Sequence, residues 1–185
     1  VAAFTAASKV QNLVTQGMMS MGQTMASYGG QNYGKGDYHR LEKGVRSALL
    51  ISVIYSLLAA AAVGLFLRPL LSLFFSGDID MASLMPWAKT YIYMCAVFYI
   101  PLSTIFIFRN IMQGCGYSFL PMMGGVVELI ARLIFAFVAM RTMSYVLACL
   151  CDPAAWLAAG VFTGVSYLFV IKKIERIHRP AETAV

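Results

Sequence analysis

Between Arg46 and Arg68 the chain runs for 21 residues, Ser47 to Leu67, without a charged side chain. A helix rises about 1.5 Å per residue, so a run of that length spans the ~30 Å hydrocarbon core of a bilayer. Lipid offers no hydrogen bonds to a bare backbone, which restricts such a segment to a helix. Two further uncharged runs of 19 residues follow, Thr90 to Phe108 between Lys89 and Arg109, and Pro153 to Ile171 between Asp152 and Lys172. A fourth, from about Phe119 to Met140, is interrupted by Glu128 and Arg132 alone. With 60% hydrophobic and 12% charged residues, against about a quarter charged in soluble domains, the composition makes the bilayer the solvent. No shift in composition and no Pro/Gly/Ser-rich linker divides the chain, which reads as one domain over residues 1–185.

The first thirty residues are more polar. Thr5, Ser8, Lys9, Gln11, Asn12, Thr15, Gln16, Ser20, Gln23, Thr24 and Ser27 make insertion hard to assign on hydropathy alone. No proline interrupts this segment, and Gly29 and Gly30 supply a stop of the kind helix C-termini favour. A helix of this kind sits at membrane depth when its polar side faces water or protein. The expectation is an all-α polytopic membrane bundle of about five transmembrane helices, at about residues 3–29, 46–68, 87–109, 118–141 and 152–173.

Lys and Arg favour cytoplasmic loops. Lys35, Arg40, Lys43, Arg46, Arg109, Lys172, Lys173, Arg176 and Arg179 fall on one side, and Arg68, Lys89 and Arg141 on the other. The bias predicts that the Gln31–Arg46 loop, the turn from Arg109 to Ser118 and the C-terminal tail are cytoplasmic, with the Arg68–Lys89 loop outside. The first helix then runs inward.

The net charge of +6 does not imply nucleic acid, because the basic residues bracket apolar runs and do not gather on a polar face. Cys95, Cys115, Cys149 and Cys151 form no Cys-x-x-Cys pair, and His39 and His178 lie far from them in polar stretches. Neither a zinc site nor a disulfide framework is supported. There is no His-Glu-x-x-His, no Ser/His/Asp set in one compartment and no pair of carboxylates within a span, so the residues point away from an enzyme and imply no cofactor. Asp78 and Asp80, beside Phe75, Ser76 and Gly77, read as caps of a turn before they read as a metal site. Val1 follows no basic n-region and is not an initiator methionine, which suggests a fragment cut from its N-terminal side.

Glu128 and Arg132 stand four residues apart and share a helix face, with the acid on the N-terminal side. With a helix starting near Phe119, Glu128 lies roughly 13 Å in, close to the midplane. An ionisable residue there is a functional hypothesis, proton or cation coupling; the alternative is a self-neutralising pair that fixes helix packing. Lys9 lines a central cavity or reaches toward the outer interface. Gln11, Asn12 and Gln16 form a face that lines a wet cavity or makes contacts between helices. Tyr91, Tyr93, Tyr99 and Pro101 occupy the third span, where the proline permits a kink and Tyr91 or Tyr99 either touches substrate or packs.

Three motifs in register carry a family resemblance: the run Val1-Ala-Ala-Phe-Thr-Ala-Ala-Ser-Lys-Val-Gln-Asn-Leu, Gly30-Gln-Asn-Tyr-Gly with Arg40 following, and Arg109-Asn-Ile-Met-Gln-Gly-Cys-Gly-Tyr-Ser-Phe-Leu-Pro. The chain resembles MATE (multidrug and toxic compound extrusion) transporters over nearly its whole length. The resemblance implies two six-helix lobes, of which this chain looks like helices eight to twelve, without the opening helix of the second lobe and without the N-terminal lobe. It implies a multi-pass protein of the plasma membrane, an antiporter exporting cationic or amphipathic drugs and toxic compounds in exchange for Na+ or H+, and a fragment inactive by itself. In some subgroups the third span carries an acid that helps bind the coupling cation; Thr90 to Phe108 has none. A lipid-linked oligosaccharide flippase of the same superfamily is the alternative, with Lys9 and Arg132 as its cationic candidates.

Overall fold

The computed structural model describes residues 2–72 and 81–178. Among them are seven helices: α1 (Ala2–Gly34), α2 (Tyr38–Ser72), α3 (Met81–Val97), α4 (Tyr99–Gly114), α5 (Phe119–Thr142), α6 (Tyr145–Cys149) and α7 (Cys151–His178). The all-α class is as expected. By length and composition α2, α5 and α7 can each cross a bilayer, and α3 and α4, bent by 51° at their break, pass the same test together and give a fourth crossing if the pair is one span. The 33 residues of α1 are long enough, at roughly 50 Å, but too polar to qualify on hydropathy, as its composition predicts. Asp78 and Asp80 lie outside the described residues.

Several boundaries differ from the expectation, and each has a cause. The first helix does not stop at Gly29 and Gly30 but continues to Gly34, and the chain turns at Gly36, whose φ of +73° suits glycine. Gly29 and Gly30 serve close approach instead. A Cβ on Gly30 would lie 3.1 Å from the Gly114 carbonyl oxygen, and one on Gly29 would lie 2.9 Å from Ile111 Cδ1. The second helix starts at Tyr38, not 46, because the Asp37 carboxylate accepts from the Arg40 amide at 2.9 Å and caps it. It bends at Phe66 (φ −109°, ψ 19°), three residues before Pro69, whose ring crowds the preceding turn.

The third span is broken at Phe98 (φ −101°, ψ 11°). Pro101 has no amide proton to offer the Val97 carbonyl, so the ladder cannot run through this point. The second arm, α4, continues to Gly114, which moves Arg109 out of the expected turn and into the helix; the turn is residues 115–118. Burial pushes the Cys115 thiol in that turn up to about 11.

Packing is organised around α4, which touches α1, α2, α5 and α7, while α5 packs chiefly on α7. One apolar cluster joins α1, α2, α3, α4 and α7 around Val10, Leu67, Tyr91, Ile92, Leu102 and Trp156. A second, around Leu41, Val45, Ile107, Ile111 and Ile174, closes the end that carries Lys35 and Arg40. There Lys173 lies 5.5 Å over the Tyr117 ring and ties α7 to the turn after α4. Leu58, Leu65, Leu133, Phe137 and Phe169 are exposed, as side chains facing lipid are.

The tightest seam is α1 against α4. A Cβ on Gly114 would land on the Ala26 carbonyl oxygen, and one on Gly22 would lie 2.6 Å from Asn110 Nδ2. Gly114→Ala should therefore lower stability by about 1–3 kcal/mol. Gly64→Ala, in α2 where nothing lies within 4 Å, should be neutral or stabilising by up to about 1 kcal/mol. Thermal unfolding of both variants in detergent checks the pair, and equal melting temperatures would refute the close-seam account.

Candidate functional site

The helix α5 carries a glutamate and an arginine into a layer that lipid cannot hydrate, and the fold answers with partners from three other helices. Glu128 Oε1 lies 3.0 Å from Arg132 Nη2, as the i, i+4 spacing predicts. Its other oxygen, Oε2, lies 3.5 Å from Arg109 Nη2 on α4. The same Arg132 Nη2 reaches Asp152 Oδ1 on α7 at 3.3 Å. Asp152 Oδ2 accepts the hydroxyl of Tyr91, on α3, at 3.0 Å. The result is a ladder of alternating sign, Arg109, Glu128, Arg132, Asp152, ending on a phenol, in which the formal charges balance.

Asp152 can join because of α6. Arg132 lies roughly 15 Å along the helix axis from the end of α5 at Thr142, yet it reaches the first turn of α7. The five residues of α6, capped where Ser144 Oγ accepts from the Leu147 amide, thus let α7 begin within the depth of α5.

Beside the ladder is a cavity of about 440 Å3, walled by Ser8, Gln11, Asn12, Thr15 and Met19 of α1, Tyr91 of α3, Leu102, Ile105, Phe106 and Arg109 of α4, Glu128 and Arg132 of α5, and Asp152 and Trp156 of α7. It occupies the space between α1 and α5, which both pack on other helices. A larger hollow of about 630 Å3 lies between the far end of α2 and the start of α3, near Arg68 and Lys89. It is a splay between two helices and holds none of the ladder residues, so the smaller cavity is the candidate site.

The structure gathers Gln11, Asn12, Tyr91, Glu128 and Arg132 on that one wall. Tyr99 is not on it: fully buried, it stands behind and donates its hydroxyl to Gln11 Oε1 at 2.7 Å. Gln11 in turn presents Nε2 to Thr15 Oγ1 at 3.4 Å. Lys9 and Gln16 are exposed and lie away from the cavity. Two members were not expected, Arg109 and Asp152, because each ends an uncharged run and reads as a boundary. Glu128 is thus joined on the cavity wall by a second acid, Asp152. Arg109 also keeps a buried Nε without a partner.

Arg109, Glu128 and Arg132 all fall within residues 1–138, over which the chain matches the family model MatE. The chain belongs to the MATE family. Members are transporters, not enzymes, and membership agrees with the spans in α2, α5, α7 and the bent α3–α4 pair. Asp152 lies beyond the matched stretch. No curated protein and no solved structure matches the chain.

If the Tyr91–Asp152 bond holds the α3 end of the ladder, Tyr91→Phe and Asp152→Asn should not be additive. A double-mutant cycle should give a coupling of about 0.5–1.5 kcal/mol in thermal unfolding in detergent. The exposed Tyr93, changed to phenylalanine, should show none with Asp152→Asn. Additive losses for Tyr91 would contradict the bond.

Proposed function

We propose that this MATE-family chain provides one lobe of a secondary antiporter that exports cationic or amphipathic compounds in exchange for Na+ or H+. Glu128 is its coupling residue and Arg132 tunes it. The observation that carries the reading is a carboxylate in the middle of α5, a helix long and apolar enough to cross a bilayer, facing a polar cavity and held by guanidiniums from two helices, α4 and α5. An intramembrane acid with access to water is the kind of group through which an ion gradient acts on a transporter.

The physics is competition. A proton or sodium ion arriving at Glu128 displaces one or both guanidiniums, and those contacts tie α5 to α4 and, through Arg132, to α7. Helix arrangements that differ in these ties then differ in affinity for the coupling ion, and an ion shifts such an equilibrium by that difference alone. Rocking of one lobe against the other around the cavity turns the shift into alternating access. In this reading the protein is multi-pass in the plasma membrane, and the end carrying Lys35, Arg40 and Lys173 is cytoplasmic.

The flippase alternative needs a cationic cavity for a diphosphate. Here each guanidinium faces a carboxylate, and Lys9 lies off the wall, which favours the antiporter.

Glu128→Gln in the complete transporter should reduce drug efflux from energised vesicles at least tenfold while leaving insertion and expression at the wild-type level. Unaltered efflux with normal insertion would retire Glu128 as the coupling residue.

A further inference from the structure

We propose that Asp152 is a second cation seat, occupied in this structure by the Arg132 guanidinium, and that an organic cation bearing N–H donors enters it by displacing that guanidinium. The inference names a substrate class for the antiporter and rests on that reading for its meaning in transport.

The first ground is how Arg132 is shared. A guanidinium binds a carboxylate best as a fork, through two parallel N–H bonds. Arg132 instead offers the single nitrogen Nη2 to two carboxylates, at 3.0 Å to Glu128 and 3.3 Å to Asp152. Neither acid receives the fork, so each contact is weaker than the strongest available. The Arg132 side chain is also 45% exposed, which leaves it room to swing aside.

The second ground is unequal compensation. When Arg132 leaves, Glu128 keeps Arg109. Asp152 keeps the neutral hydroxyl of Tyr91 and, among the described residues, no other cationic partner. A carboxylate of that kind, three-quarters buried, costs much when left unpaired and so draws a replacement charge. Arg109, across the ladder, disfavours the same entry at Glu128. A cation therefore goes to Asp152.

The surroundings set the class of ligand. The Arg132 guanidinium meets Oδ1 as an ion pair at 3.3 Å without a hydrogen bond, so a guanidinium, amidinium or alkylammonium supplies the N–H bond that Oδ1 lacks among the described residues, whereas a quaternary ammonium brings charge without a donor. The cavity of about 440 Å3 has Trp156 and Tyr91 in its wall beside Asp152, and aromatic surface suits a cation with an apolar body. Occupancy also has a mechanical consequence. The first arm, α3, is tied to Asp152 through Tyr91, and the second arm, α4, to Glu128 through Arg109. Arg132 links those two ends, and a ligand that takes its place at Asp152 cuts the link across the 51° bend.

The chain has two tryptophans, so a Trp87→Phe background leaves Trp156 as a reporter beside the seat. The purified chain in detergent is titrated with methylguanidinium and, at matched ionic strength, with tetramethylammonium. Methylguanidinium should alter Trp156 emission saturably and tetramethylammonium should not. Asp152→Asn should weaken methylguanidinium binding at least tenfold. Arg132→Ala, which removes the tethered competitor, should tighten it at least tenfold, and adding Asp152→Asn should erase the gain. An unaltered affinity in Asp152→Asn, or an equal response to tetramethylammonium, overturns the proposal, and both are readable even where Arg132→Ala does not fold. These titrations use no ion gradient. Unaltered efflux in Glu128→Gln would remove the coupling assignment and leave them standing, whereas unaltered binding in Asp152→Asn would remove the seat and leave Glu128 in place.

Discussion

A bilayer interior satisfies no polar group, and that refusal organises this bundle. Ser8, Gln11, Asn12 and Thr15 of α1 and the charges of α5 face the space between the two helices, while Lys9 and Gln16 of α1 do not. The apolar faces of α2, α5 and α7 take the outside. The cavity is thus what remains when two helices with polar stripes share one neighbour, α4, and pack otherwise on different helices, α1 on α2 and α3, and α5 on α7. Its chemistry follows from the same pressure. One charge at depth demands a counter-charge, the counter-charge demands another, and the series ends at Tyr91, a group that can close it without adding a charge.

That arrangement needs α1 and α4 very close together, since α4 supplies both Arg109 and the wall behind Gln11. Between helices in lipid the hydrophobic effect supplies little drive, and small residues that let backbones touch take its place. Gly22, Gly29, Gly30 and Gly114 do this along one line. Two of the motifs that carry the family resemblance, Gly30-Gln-Asn-Tyr-Gly and Gln113-Gly-Cys-Gly, meet each other at that seam. Their spacing reflects a helix crossing more than a ligand cradle. Asn32, in the first, donates its side-chain amide to the Tyr28 carbonyl at 2.8 Å and is spent on the backbone.

What could be read from the chain beforehand divides along physical lines. The charge-free run Ser47–Leu67 marked α2 because length and apolarity suffice to identify a crossing. The Glu128–Arg132 pair followed from helical periodicity, a local property, and α5 begins at Phe119 as expected. Arg109 and Asp152 were missed because a charge beside an apolar run looks like its border, and only tertiary structure shows α4 running past Arg109 or α6 letting α7 start deep. Gly29 and Gly30 misled for a related reason: a local rule about helix ends lost to a packing demand set by another helix. Tyr91 and Tyr99 read alike from the sequence, as contacts to substrate or as packing; which of them reaches the cavity depends on the helix phase after the break at Phe98, which periodicity on either side cannot supply.

The break itself connects packing to function. A straight third span would hold Tyr91 and Arg109 in one rigid register, and contacts at the two ends of the ladder would reinforce each other whatever occupied the middle. Bent at Phe98, the span has two arms whose relative angle is set by what each one grips. Tyr99, at the first position of α4, is anchored to Gln11 at 2.7 Å and so pins the bend to α1. Ser56, buried in α2, donates to the Ser52 carbonyl at 2.7 Å and lies 3.3 Å from both the Tyr99 carbonyl and the Ser103 hydroxyl, which holds the same point from the other side. With the fulcrum fixed to two helices, the proposed ion exchange in the ladder would move α3 relative to α7 and α4 relative to α5, and so reshape the cavity between them. A packed bundle converts local ion exchange into helix movement where it has such a pivot, and the proline that interrupts the span is what makes one here.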